Sequence, residues 1–71
     1  MSLTMLENGR SGVVVRINGG RTCRCRLLQL GIVPGVPVSV IKNAGQGPLV
    51  LDVLGSRIML GCGIASSIEV A

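Results

Sequence analysis

The chain has 71 residues, 48% apolar and 14% charged, with no aromatic residue, no histidine and a net charge of +4. One small domain spanning residues 1–71 is expected, with a core built from Val, Leu, Ile, Met, Ala and Cys alone. The three acids, Glu7, Asp52 and Glu69, are far apart in sequence; without histidine they offer no acid/base pair, so the chain is read as a non-enzyme.

Charged residues fall well below the roughly 25% of an ordinary globular chain. Some apolar side chains must therefore stay outside, which favours partners or self-association. The opening MSLTMLENG has neither the basic region nor the long apolar region of a secretory signal. No run approaches the ~18 apolar residues of a membrane span. Three cysteines, an odd number, then point to the reducing cytosol. A cytoplasmic protein with no direct membrane insertion is expected.

In chain order, Leu3 and Leu6 are expected to pin a short lead-in to the core, and Asn8-Gly9 signals a turn. GVVVRIN reads as a strand. Val13, Val15 and Ile17 share one face; Val14 interrupts the alternation and marks a bulge or a covered face. NGG at 18–20 ends the strand. RTCRCRLLQLGIVPG then predicts a short amphipathic helix. Cys23, Leu27 and Leu30 form its inner stripe, with Thr22 as N-cap, Gly31 as the left-handed stop and Pro34 beyond it. Arg21, Cys25 and Leu28 lie roughly opposite.

PGVPVSVIK opens on a Pro-Gly turn and sends Val36, Val38 and Val40 inward, with Pro37 at a free edge. Residues 43–47 are a loop. Leu49, Leu51 and Val53 alternate with Val50, Asp52 and Leu54, and Gly55-Ser56 makes a tight hairpin connection. Ile58 and Leu60 return inward. CGIASS is a corner of one helical turn, and Ile68 and Val70 close the chain. The fold class is mainly β: a small, closed or partly open barrel of about five strands, with a helical insertion after the first.

The candidate functional residues sit on the outer helix face. Cys25 and Leu28, rimmed by Arg21 and Arg24, make an apolar spot with a basic border, which suits protein docking. Outward-facing Ile41, Val50 and Leu54 add apolar area. Cys23, Cys25 and Cys62 are weak metal candidates, because zinc ordinarily takes four Cys or His ligands. Residues i and i+2 of a helix point about 200° apart, so Cys23 and Cys25 do not chelate one ion. Nucleic acid is disfavoured, since the arginines lack the aromatic platforms on which bases stack.

The order SGVVVRINGG, CRLLQLGIVPGVPVSVI, GPLVLDVLGSRIMLGCGIASSIEV resembles the FeoA family of ferrous iron transport proteins, from about Leu3 to Val70. The most specific matches run from Arg26-Leu27 through Leu30-Gly31-Ile32 to Pro34-Gly35, and from Pro48 through Gly55 to Leu60. The resemblance implies an SH3-like barrel. It also implies a cytoplasmic partner of the FeoB membrane transporter, which carries a GTPase domain, and a role in modulating Fe2+ uptake. Two positions depart from the family pattern: Gly47, where many members carry an acid, and Gly61, where many carry arginine. The alternative reading is a metal-responsive module that takes Fe2+ or another transition ion through its thiols.

Overall fold

Aliphatic strands can bury both their side chains and their backbone polar groups only by curling around a common interior. The computed structural model, which describes residues 1–43 and 47–71, has this arrangement. A 3-10 turn, Leu3–Met5, leads into β1 (Ser11–Ile17) and α1 (Arg21–Gln29). Strands β2 (Pro37–Lys42), β3 (Leu49–Val53) and β4 (Ser56–Leu60) follow. The short α2 (Cys62–Ala65) and β5 (Ile68–Val70) complete the chain. One antiparallel sheet runs β4-β3-β2-β1-β5. It is curled but not closed, as no ladder joins β4 to β5 among the described residues. The expected mainly-β class, with five strands and a helix after the first, is what the chain adopts.

Two bulges produce the curl. Along β1, Val14 pairs with Val70 and Arg16 with Glu69, leaving Val15 as an extra residue. Val14 and Ile17, three positions apart, therefore both face inward, while Val13 and Val15 are exposed. The interrupted alternation at Val14 was the sequence signal of this bulge. On β2, Ile41 is the extra residue between the Val40–Leu51 and Lys42–Val50 pairs. Each bulge adds local twist, which bends the sheet toward a barrel.

Inside lie Leu3, Leu6, Val14, Leu27, Ile32, Val38, Val40, Leu49, Leu51, Val53, Leu60, Ala65, Ile68 and Val70. Leu3 and Leu6 hold the lead-in to this core as expected. Pro37 begins β2, opposite Val13 of β1; the β3 ladder starts one residue later, at Val38. Its missing N–H thus falls where β2 has no partner on the β3 side. Of the loop expected at 43–47, residues 44–46 lie outside the described residues.

Three local expectations are corrected. Thr22 is not the helix cap: Gly20 is, with no side-chain cap bond, and Thr22 falls inside the first turn. Leu30 does not complete the inner stripe and is exposed. Its place is taken by Ile32, because the helix ends in a Schellman motif: the Gly31 N–H donates to the Leu28 carbonyl (3.0 Å) and the Ile32 N–H to that of Leu27 (2.8 Å). Gly31 takes the left-handed conformation (φ 83) that turns the chain back and brings Ile32 beneath the helix.

The hairpin between β3 and β4 turns one residue earlier than expected. Val53 pairs with Ser56, so the connection is Leu54-Gly55, with φ of 52 and 86. Two positive φ values identify a type I′ turn, whose first position favours Asn, Asp or Gly. Leu54 is 73% exposed there and buries little in return. A β-carbon in this region costs roughly 1–2 kcal/mol. Leu54→Asn is therefore expected to stabilise the fold by about 0.5–1 kcal/mol, raising the melting temperature by ~2–8 °C. Thermal and urea unfolding of the two proteins check this, and an unchanged or lower midpoint contradicts it.

Candidate functional site

Helix α1 is fastened to the sheet by few residues. Leu27 is fully buried, Cys23 is half-buried against the core, and the remaining α1 side chains are exposed. At its start, Gly19 passes so close to Cys23 that a β-carbon would lie 2.7 Å from the sulfur. The Cys23 thiol in turn meets the Ser67 hydroxyl at 3.5 Å. At its end, the chain runs from buried Ile32 into a β-turn closed by the Val36 N–H on the Val33 carbonyl (3.2 Å). Pro34 and Gly35 (φ 95) fill the central positions, the type II pattern.

The outer face of α1 borders two adjoining hollows. One, of about 260 Å3, is lined by Gly19, Gly20, Arg21, Arg24, Cys25 and Leu28. The structure thus brings together all four residues singled out for docking: Arg21, Arg24, Cys25 and Leu28. The other, of about 440 Å3, lies between α1 and β1 and shares Arg24 and Leu28. Its far wall is Val15, Val33 and Pro34, with Ile17 and Ile32 toward the core. Sequence reasoning missed this wall. Its signal was the same bulge, because a bulge re-aims a side chain and here exposes Val15 beside α1.

The charges around the groove are unevenly placed. Arg16, on the strand side, bonds Glu69 through Nε (3.1 Å) and Nη2 (2.9 Å). This is the one ion pair among the described residues. Arg21, Arg24 and Arg26 on α1 have no carboxylate partner among the described residues. Asp52 accepts the Gly55 N–H at 3.0 Å and so steadies the β3–β4 turn. Ile41, Val50 and Leu54 line neither hollow. A further hollow at the lead-in is bordered by Asn43, whose Nδ2 donates to the Thr4 and Leu6 carbonyls at 3.0 and 2.9 Å. That amide serves to fasten the lead-in to the end of β2.

The three thiols lie on different surfaces of the described structure. Cys23 turns inward, Cys25 is exposed on the same helix, and exposed Cys62 opens α2. Among the described residues, no three His, Cys, Asp or Glu groups come together. The donor set does not fit zinc, which requires about four converging ligands. No helix among the described residues is long and apolar enough to cross a membrane.

Comparison with known proteins places this arrangement among relatives. The FeoA domain family model matches residues 1–71. A protein of Methanocaldococcus jannaschii, named as a candidate Fe(2+) transport protein A, is 34% identical over 68 residues, covering 96% of this chain and 82% of that protein. The crystal structure of an iron uptake regulatory protein, FeoA, superposes with a TM-score of 0.94 at 33% identity, covering 99% of this chain and 93% of its own. The FeoA of Stenotrophomonas maltophilia, described as an SH3 domain protein and crystallised with zinc, superposes with a TM-score of 0.86 at 28% identity, covering 100% and 89%. The fold is therefore SH3-like, as the resemblance implied.

The close approach of Gly19 to Cys23 predicts that Gly19→Ala pushes the start of α1 outward. Gly19 is not left-handed, so the cost is steric, about 1–3 kcal/mol of stability. Cys23→Ala removes the nearer atom and is expected to restore part of the loss, as urea unfolding of the single and double variants will read. The burial difference also predicts two fast thiols, Cys25 and Cys62, and one slow one, Cys23. Timed alkylation followed by mass spectrometry reads that order directly, and fast labelling of Cys23 would mean α1 opens readily.

Proposed function

This chain belongs to the FeoA domain family of ferrous iron transport, and on that premise we propose that it is a small cytoplasmic accessory protein that binds a FeoB-like membrane transporter and modulates its GTPase-coupled Fe2+ uptake. The reading rests on one observation above the others. Leu28 is 62% exposed on a helix anchored to the core through Leu27, and it lines both hollows, joined by Arg24 in both and by Arg21 in one. An exposed apolar side chain on a rigid element, with a charged border, suits the centre of a docking patch.

Docking, not catalysis, is the mode of action. Glu69 is engaged by Arg16, Asp52 by its turn, and Glu7 is exposed, so no carboxylate is set against a second titrating group. A binding protein modulates a GTPase-containing partner only through differential affinity for that partner's states. The chain therefore changes nucleotide turnover to the extent that it prefers one nucleotide state of the transporter.

Leu28→Asp is the direct test. It removes an exposed side chain, so the fold is expected to persist by circular dichroism and thermal melting. Burial of a leucine is worth about 1.5–3 kcal/mol, so affinity for the intact transporter in nanodiscs should fall about tenfold or more. GTP hydrolysis measured with and without the chain should differ for the parent and converge for the variant. Undiminished binding by the folded variant would remove the α1 face from the interface.

A further inference from the structure

Resting on the docking role proposed above, the geometry points to a partner element of defined chemistry: an amphipathic helix, apolar toward the groove and acidic along the edge that faces α1. Three features lead there. The first is that the groove is apolar on its floor and far wall, with Val15, Leu28, Val33 and Pro34 exposed to whatever enters. Such a surface selects aliphatic side chains over phosphate or sugar. It is also concave, which suits a convex protein element better than a flat lipid surface.

The second feature is that charge is free on one side only. Arg16 lines the same groove, but its guanidinium is held by Glu69 with two bonds to one carboxylate oxygen. Arg21 and Arg24, across the groove on α1, are unpaired among the described residues. An occupant is therefore drawn to place Asp or Glu along the α1 edge and gains little from acids along the β1 edge.

The third feature concerns the occupant's backbone. β1 pairs with β2 over Ser11–Val13, whereas its groove-lining residues Arg16 and Ile17 pair with β5 alone. The Val13 and Val14 N–H groups are already donated, to Ala71 and Val36. The strand edge left open toward the groove is thus at most three residues long, too short to pair the N–H and C=O groups of an extended segment. A helix satisfies them internally and presents only side chains.

The probes are two synthetic helical peptides with identical leucine positions, spaced three and four apart, one carrying Glu at every polar position and the other Lys. Each is titrated into the isotopically labelled full chain. The Glu peptide is expected to bind, to shift the amide signals of Val15, Leu28 and Val33, and to weaken as salt rises. The Lys peptide should not bind. Arg24→Glu should weaken the Glu peptide on the order of tenfold, whereas Arg57→Glu, with the same change in net charge away from both hollows, should leave it unchanged. Glu69→Gln, which releases Arg16, should tighten it about 1.5- to fivefold.

Equal binding of both peptides, equal effects of the two charge reversals, or saturation of the groove signals by anionic lipid vesicles instead would overturn the inference. The two readings fail separately. Transporter binding that ignores salt and Arg24→Glu, but is lost in Leu28→Asp, rejects the acidic helix and keeps the docking role. Selective binding of the Glu peptide, with no binding to the transporter, keeps the acidic helix and rejects that partner.

Discussion

The 2.8 Å hydrogen bond from the Ile32 N–H to the Leu27 carbonyl sets the position of everything on the outer surface of α1. Both residues are fully buried, so the bond ties the helix end to the core at two apolar points. Each contributes about 1.5–3 kcal/mol through burial. In a core without a single aromatic ring, that is a large share of what any one element can supply. Losing the left-handed turn at Gly31 would take Ile32 out of the core and swing Val33 and Pro34, one wall of the groove, away from Leu28.

The other wall depends on the sheet. Val15 is exposed because β1 accommodates one residue more than its β5 partner, and the same extra residue lets Val14 and Ile17 both reach the interior. One irregularity thus does two things: it curls the sheet around the core and presents an apolar side chain to α1. The second bulge, at Ile41, adds curvature without contributing to the groove. The outer edge of β5 is covered by Met1 and Ser2, through the Val70 N–H on the Met1 carbonyl (2.7 Å) and the Ser2–Glu69 bridge. This limits the open edges that so apolar a chain leaves to solvent.

Much of this was legible in the sequence because short-range physics fixes it. Alternation located Val38, Val40, Leu49, Leu51, Val53 and Leu60, and Gly31 followed by Pro34 located the helix stop. The errors share a cause. Thr22, Leu30 and Gly55-Ser56 were assigned by the best local candidate, whereas backbone hydrogen bonds several residues away shifted each boundary by one or two positions. The four outer-helix residues could be found because they share one face of one element. The groove could not, because its second wall comes from a strand displaced by a bulge and from a turn after the helix. No periodicity links Val15 to Val33.

The two departures from the family pattern bear on the same division between folding and binding. Gly61 opens α2 with no side-chain cap, and a β-carbon there or at Gly47 would meet nothing within 4 Å among the described residues. Neither position is left-handed, so neither glycine is required by the backbone. A longer side chain at either site would project into open space. The buried side of the nine-residue helix α1 holds it to the core, and its outer residues are exposed, so they can change without disturbing what holds the helix in place.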